Sequence, residues 1–254
     1  MFYISGSSDV GIRRKINQDS IIVQKMESSI GELVFACVCD GMGGLQSGEL
    51  ASATVLLCFK QWIYEALPLL TAQRIEQKDI ITQWTHIVDV CNKKILQYGA
   101  NEKISLGTTL TAALFTESEY FIVNIGDTRA YEIGTKLKQL THDHSFVQQE
   151  VDCGRMSPEE ARISKRKNVL TRCIGAKEDV VPDFFFGKIK KNATYVLCSD
   201  GFRHKISEPE MLSYFDSGKH SSSEDLKNTE ISLIELNKKR QETDNISVVT
   251  IIKK

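Results

Sequence analysis

Leu33-Val34-Phe35-Ala36-Cys37-Val38-Cys39-Asp40-Gly41-Met42-Gly43-Gly44 decides how the rest of the chain is read. Apolar residues follow one another from Leu33 to Cys39 without polar alternation, the pattern of a strand covered on both faces. The run then stops at an Asp. A strand that ends this way fixes the backbone while a carboxylate projects from the sheet edge. The following Gly lets another group come close, and its carbonyl is itself a hard oxygen ligand. The same ending recurs: Tyr195–Cys198 runs into Ser199-Asp200-Gly201, and Tyr120–Ile125 runs into Gly126-Asp127-Thr128-Arg129. Asp244-Asn245 stands immediately before a final apolar run, Ile246–Ile252.

Working outward, further extended runs are expected at Phe2–Ser8, Ser20–Lys25, Thr108–Thr116, Arg129–Ile133, Lys136–Leu140, Asp183–Lys188 and Thr194–Cys198. Helical spacing covers Gln46–Ala66, with Pro68 just beyond it, and Asp79–Tyr98, where Gly99 stands as the expected cap. Ser222–Lys239 reads as a third helix, and Pro158 opens a short one. Trp62 and Trp84 occupy apolar helical positions and are expected in the core. Strands, two consecutive helices, then strands again is not the alternation of a parallel doubly wound sheet. Tight connections at Glu117–Glu119 and Gly134–Thr135 favour antiparallel pairing. Two antiparallel sheets flanked by helices, or one large mixed sheet, would both fit. With four Pro, no Gly/Ser tract and no repeat, one domain is expected over residues 1–254.

Composition narrows the function. The 254 residues carry 32 Lys plus Arg against 33 Asp plus Glu, a net charge of −1, which removes the overall electrostatic footprint of a nucleic-acid binder. No apolar run approaches a membrane span, and Met1–Val10 lacks the pattern of a secretory signal. The seven Cys include Cys37, Cys39, Cys58, Cys173 and Cys198 within apolar runs, expected as free thiols in a reducing compartment. A cytoplasmic protein is the expectation.

A single Asp-Gly or Gly-Asp is more often a turn than a ligand. Repetition changes the balance, because several such acids converging in a partly dry site repel one another unless cations intervene. Hard oxygen ligands without a His or Cys cluster select Mg²⁺ or Mn²⁺ over zinc. Upstream, Arg13-Arg14-Lys15 precedes Asn17-Gln18-Asp19, and a guanidinium beside paired cations suits an anionic phosphate.

Taken in order, these residues resemble the metal-dependent protein serine/threonine phosphatases of the 2C type, in their compact bacterial form. The stretches that carry the resemblance are Ser8-Asp9-Val10-Gly11 through Arg14, Asn17-Gln18-Asp19, Val38 to Gly44, Gly107-Thr108-Thr109 and Asn124 to Arg129. They continue with Leu140 to Ser145, Gly154 to Arg162, Asn168 to Arg172 with Gly175, Leu197 to Gly201, and Asp244 to Val249. Each alone is weak; the ordered set spans nearly the whole chain and is specific.

The resemblance implies an α+β fold, two antiparallel sheets packed as a central sandwich with helix pairs outside, in four αββα layers. It implies a metal cluster at one end. Asp40 would bridge two Mn²⁺ or Mg²⁺ ions, the Gly41 carbonyl would bind one, and Asp200 and Asp244 would complete the pair. Asp19 would act mainly through metal-bound water, and Asp127 with Asp200 would hold a third, weaker ion. Arg14 would grip the substrate phosphate, and residues 146–168 would form a mobile flap. The bridging hydroxide would attack phosphorus directly, with no phosphoenzyme. Implied partners are phosphorylated proteins opposed to a cognate Ser/Thr kinase in a bacterial cytoplasm, with no nucleic acid and no membrane, acting as a monomer.

Four positions depart from the commonest pattern. Gln18 stands where many relatives have Glu, and Met42 follows Asp40-Gly41 where animal relatives have a His. Ser164 and Lys167 replace a His and an Arg, and Arg203-His204 follows Ser199-Asp200-Gly201-Phe202 where a small or acidic residue is usual. His142 and His144 are expected in capping and packing rather than acid–base chemistry. Two rival functions remain open at this point: a catalytically weak phosphoprotein-binding module, and a two-metal nuclease or nucleotide hydrolase.

Overall fold

The computed structural model describes residues 1–43, 47–72 and 75–254. In chain order the elements begin with β1 (Phe2–Asp9), β2 (Asp19–Ser28) and β3 (Gly31–Met42). Helices α1 (Gly48–Glu65), α2 (Leu67–Thr71) and α3 (Gln77–Glu102) follow. Next come β4 (Gly107–Thr108), β5 (Leu110–Phe115), β6 (Glu119–Ile125), β7 (Arg129–Ile133) and β8 (Leu137–Gln139). Then come α4 (Phe146–Asp152), α5 (Pro158–Ile163), β9 (Asp183–Lys188), β10 (Thr194–Cys198), α6 (Asp200–Arg203), α7 (Glu208–Tyr214), α8 (Ser223–Lys239) and β11 (Ile246–Lys253).

The strands form two sheets, β1-β11-β10-β7-β8 and β2-β3-β5-β6-β9, with β4 added beside the end of β3. Every pairing is antiparallel, so the sandwich is realised and the single mixed sheet is not. The unbroken apolar run of β3 now has its reason. Leu33, Phe35, Cys37 and Cys39 pack towards the helix layer, whereas Val34, Ala36 and Val38 face the other sheet. Between the sheets they meet Tyr195, Leu197, Val249 and Ile251. On the far side of the second sheet, Val196, Cys198 and Val248 pack under Phe202, Phe215 and Leu233. Helix, sheet, sheet and helix therefore make four layers. Full burial of each such side chain contributes about 1.5–3 kcal/mol.

Beneath α1 and α3 lies an aromatic cluster. Trp84 meets Phe35, Phe59 and Trp62 edge-on, at centroid separations of 6.2, 5.7 and 5.5 Å. Both tryptophans are buried, as their helical positions require. All seven cysteines are free thiols. No helix among the described residues is long and apolar enough to cross a membrane.

Several boundaries differ from the sequence expectation, and two of the differences have a clear physical cause. Gly99 does not cap α3; the helix continues to Glu102 and closes on Lys103, whose φ of 58° is left-handed. Gly99 instead admits the returning chain, since a Cβ there would stand 2.8 Å from the Ile104 carbonyl. The run Thr108–Thr116 is two strands, because Thr109 turns its amide to the Asp40 carbonyl (2.9 Å) between them. The expected start of the first helix at Gln46, and Gly44 of the glycine-rich stretch, lie outside the described residues.

At the opposite pole from the acids, β1 and β11 bring the chain ends side by side. The Lys254 amide donates to the Met1 carbonyl at 3.0 Å.

Candidate metal centre

Antiparallel register gathers the acids. Asp19 opens β2 directly opposite Asp40 near the end of β3. In the second sheet, Cys198 at the end of β10 faces Val248 near the start of β11, so Asp200 and Asp244 emerge at one edge. Asp127 follows the end of β6, one residue beyond Gly126. Strand ends alternate in direction, yet all of these acids fall at the same pole of the sandwich.

The backbone around them is tightly held. The Asp40 amide donates to the Thr109 hydroxyl at 2.9 Å, and the Thr108 hydroxyl donates to the Asp40 carbonyl at 3.0 Å. Asn245 ties the two sheets: its Oδ1 accepts from the Gln18 amide (2.9 Å), and its Nδ2 donates to the Val10 and Ile16 carbonyls (3.0 and 3.2 Å). That clamp shapes the loop bearing Arg14. Gly41 is required by crowding, since a Cβ would lie 2.2 Å from the Gly48 carbonyl and 2.5 Å from that of Gln18. Gly201 likewise admits the Asn245 carbonyl, which would stand 2.1 Å from a Cβ.

Burial and mutual repulsion dominate the electrostatics. Burial pushes the Asp19 carboxyl up to about 7, with the Asp200 charge adding and the Ser247 and Ser199 hydroxyls nearby offsetting part of it. Asp40 is held well above the usual carboxylate range by burial and then by the charges of Asp19, Asp200, Asp127 and Asp244. Asp127 is pushed up to about 7, again by burial first and then by Asp200, against the opposing charge of Arg203. No donor among the described residues reaches either oxygen of Asp19 or Oδ1 of Asp200 in hydrogen-bond geometry. Buried, charged and unpartnered oxygens of this kind are costly unless a cation meets them.

The donor set therefore fits hard divalent ions: carboxylates and a backbone carbonyl, without a thiolate. The carboxylates do not close into a ligand shell. Among the described residues no three His, Cys, Asp or Glu stand at metal-ligand spacing. The Arg14 guanidinium meets Asp244 Oδ2 at 2.9 Å and is half-exposed. Its pKa is raised by that hydrogen bond and by the charges of Asp244, Asp40 and Asp200. Arg14 thus stands at the solvent rim of the cluster, within its field.

Neither histidine is available to the acids. His142 Nε2 lies 2.7 Å from Asp152 on α4. His144 accepts from the Gly126 amide at Nδ1 (3.1 Å) and meets Asp183 through Nε2 (3.0 Å), while burial lowers its pKa. Sequence reasoning gave no role to Asn245 or Thr109, although both sit in the quoted motifs. Arg203 was visible only as an unusual neighbour of Asp200-Gly201. It reaches back to Asp127, with Nη2 3.1 Å from the carbonyl and 3.4 Å from Oδ2.

A four-layer sandwich with a buried acid cluster and a rim guanidinium defines a phosphatase class, and residues 12–232 match the model of the protein phosphatase 2C family. The chain belongs to that family and is a phosphatase. It is 37% identical over 177 residues, 68% of each chain, to the serine/threonine phosphatase stp of Listeria monocytogenes. The crystal structure of the serine/threonine phosphatase Stp1 from Staphylococcus aureus superposes with a TM-score of 0.87 at 26% identity, covering 100% of this chain and 96% of that one. The catalytic domain of the serine threonine protein phosphatase PstP, solved with two manganese ions, gives a TM-score of 0.78 at 28% identity over 99% and 97% of the two chains.

Proposed function

We propose that this phosphatase hydrolyses phosphoserine and phosphothreonine in proteins, acting as one catalytic domain at a dinuclear Mn²⁺ or Mg²⁺ centre. The carrying observation is the set of buried, unpartnered oxygens on Asp19 and Asp200 beside Asp40, with Arg14 at the rim. Asp40, Asp200, Asp244 and the Gly41 carbonyl would hold the ions, and Asp19 would support them through water. When bound, the two ions would supply a hydroxide near neutral pH and Lewis acidity at the phosphoryl oxygens.

The chain's own groups do the rest. Arg14, exchanging Asp244 for substrate, would hold two phosphate oxygens in a planar fork and stabilise their charge in the transition state. Thr108 and Thr109 fix the Asp40 backbone, so its carboxylate needs no reorganisation on binding. Residues 146–168, joined at their base by the Ser145–Leu170 bridge, would be the flap bordering the site. Substrates would be proteins phosphorylated by a Ser/Thr kinase. The relatives named serine/threonine phosphatases support this substrate class, and the two manganese ions of the PstP structure support the cofactor. The resemblance also gives Asp127 a third, weaker ion, on which its neighbour Arg203 bears directly.

The test is release of phosphate from a phosphothreonine peptide with and without Mn²⁺, run beside an oligonucleotide and a nucleoside triphosphate. Metal-dependent turnover confined to the peptide is expected. Chelator-resistant turnover, or turnover confined to the nucleic acid or nucleotide, would overturn the proposal.

A further inference from the structure

Asp127 has a cation already. Its carbonyl and Oδ2 both face Arg203 Nη2, at 3.1 and 3.4 Å. The same guanidinium lies 3.7 Å from Asp143 Oδ2. Asp143 is in turn gripped by Arg129, through Nε at 2.8 Å and Nη2 at 2.7 Å. The four side chains form a charge-balanced chain of two acids and two guanidiniums, running Asp127, Arg203, Asp143, Arg129, beside the acid cluster. The Arg203 side chain is only 14% exposed, so its charge is fixed in place and poorly screened. The neighbouring His204 faces Asp200 Oδ2 and Glu242 Oε2, each at 3.6 Å.

Contrast the two ends of the cluster. Asp19 and Asp200 present buried oxygens that no donor among the described residues meets in hydrogen-bond geometry. Asp127 presents an oxygen with a guanidinium on it. A divalent ion between Asp127 and Asp200 would have to enter beside a buried, permanent positive charge that cannot be deprotonated.

We propose that Arg203 is an internal cation that takes the place of a metal ion at Asp127, so that this enzyme binds two divalent ions and not three. Arg203 is a positioning residue: it neutralises Asp127 and, through it, sets the field on the Asp200 side of the pair. This rests on the two-ion reading of Asp40, Asp200 and Asp244. It also makes Asp127 the end of a structural chain of ion pairs.

The experiment is calorimetric titration of the metal-free protein with Mn²⁺ alone, for the wild type, Asp127→Ala, Arg203→Ser, Arg203→Lys and the Asp127→Ala/Arg203→Ser pair. The wild type should bind two ions, and Asp127→Ala should not lower that number. Its two sites should weaken, because Arg203 then faces them without the neutralising charge of Asp127. Arg203→Ser should reveal a third ion that the double variant loses, and Arg203→Lys should again bind two. A third ion in the wild type that Asp127→Ala removes would overturn the proposal, whether or not any Arg203 variant folds. So would Arg203→Ser that is folded by circular dichroism and binds only two. A wild type that binds fewer than two ions would instead overturn the two-ion reading itself.

Discussion

Asp40 lies within the field of four other acids, and burial adds to their repulsion, so its ionised form is favoured only when positive charge arrives. Replacing it by Asn preserves shape and hydrogen-bonding length while removing the charge that concentrates cations. Asp40→Asn, Asp200→Asn and Asp244→Asn should each lower kcat/KM by about 100-fold or more, since even indirect partners of metal ligands are worth 10–100-fold. Wild-type rates in Asp40→Asn at saturating Mn²⁺ would contradict the assignment. Arg14 makes a different prediction. Its loss removes a charge-assisted contact to phosphate worth about 1.5–3 kcal/mol, so Arg14→Ala should raise KM by roughly 10- to 150-fold. Because Arg14 occupies Asp244, metal affinity measured by titration should not fall. Met42 bears on the leaving group, for it cannot donate a proton, and His142 and His144 are committed to Asp152 and Asp183. Across substituted phenyl and alkyl phosphates, kcat/KM should depend steeply on leaving-group pKa. Replacing either histidine with Gln should leave that slope unchanged. At this scale the sequence was most informative about acids that end strands. It was least informative about Arg203, whose partner lies 76 positions away, because no local pattern records a pairing made by the fold.

Among the elements, the strands were legible wherever both faces are apolar. β7, β9 and β10 fall on the expected residues; in β7 and β10 burial on both sides leaves few alternatives to an extended run, whereas β9 is only half-buried. The short helices α2, α4, α6 and α7 span four to seven residues, too few to show a period of 3.6. Among them α6 matters most, because it begins at Asp200 and turns Arg203 back under Asp127. The end of α3 was misread because glycine serves two purposes, left-handed backbone and close approach, and Gly99 serves the second. Helices α1 and α3 owe their place to packing over the face of the sheet that holds β3. Trp84 is fully buried among Phe35, Phe59 and Trp62. Trp84→Ala should therefore cost about 3–5 kcal/mol of stability in a denaturant titration. The aromatic cluster lies behind the sheet, away from the acids, so kcat of the fraction that remains folded should change little.

For the molecule as a whole, the acid cluster couples stability to pH. Asp19 and Asp127 have folded values of about 7 against an unfolded value of 3.8. Between those limits the folded protein holds protons that the unfolded chain has released. The contribution of these groups is therefore full below about 4 and is lost as pH rises through about 7. In chelator, the melting temperature should fall from pH 5 to pH 8 by this contribution. Mn²⁺ competes with those protons, so its stabilising increment should grow over the same range. Thermal melts at several pH values, with and without Mn²⁺, measure both. An increment that shrinks with pH would place the ions elsewhere.

The pairing of β1 with β11 separates the two poles of the sandwich by the length of a strand of eight residues, about 26 Å at 3.3 Å per residue. The acids lie at one pole, and Met1 and Lys254 touch at the other. A tether fixed to either end would hold the enzyme on a solid support with its catalytic mouth turned outward. A short linker between the ends would convert β1 and β11 into a hairpin and free the chain to be cut open elsewhere. Circular permutants and immobilised forms can thus be built without crossing the metal centre, because the order of the strands along the chain is not the order in which they surround it.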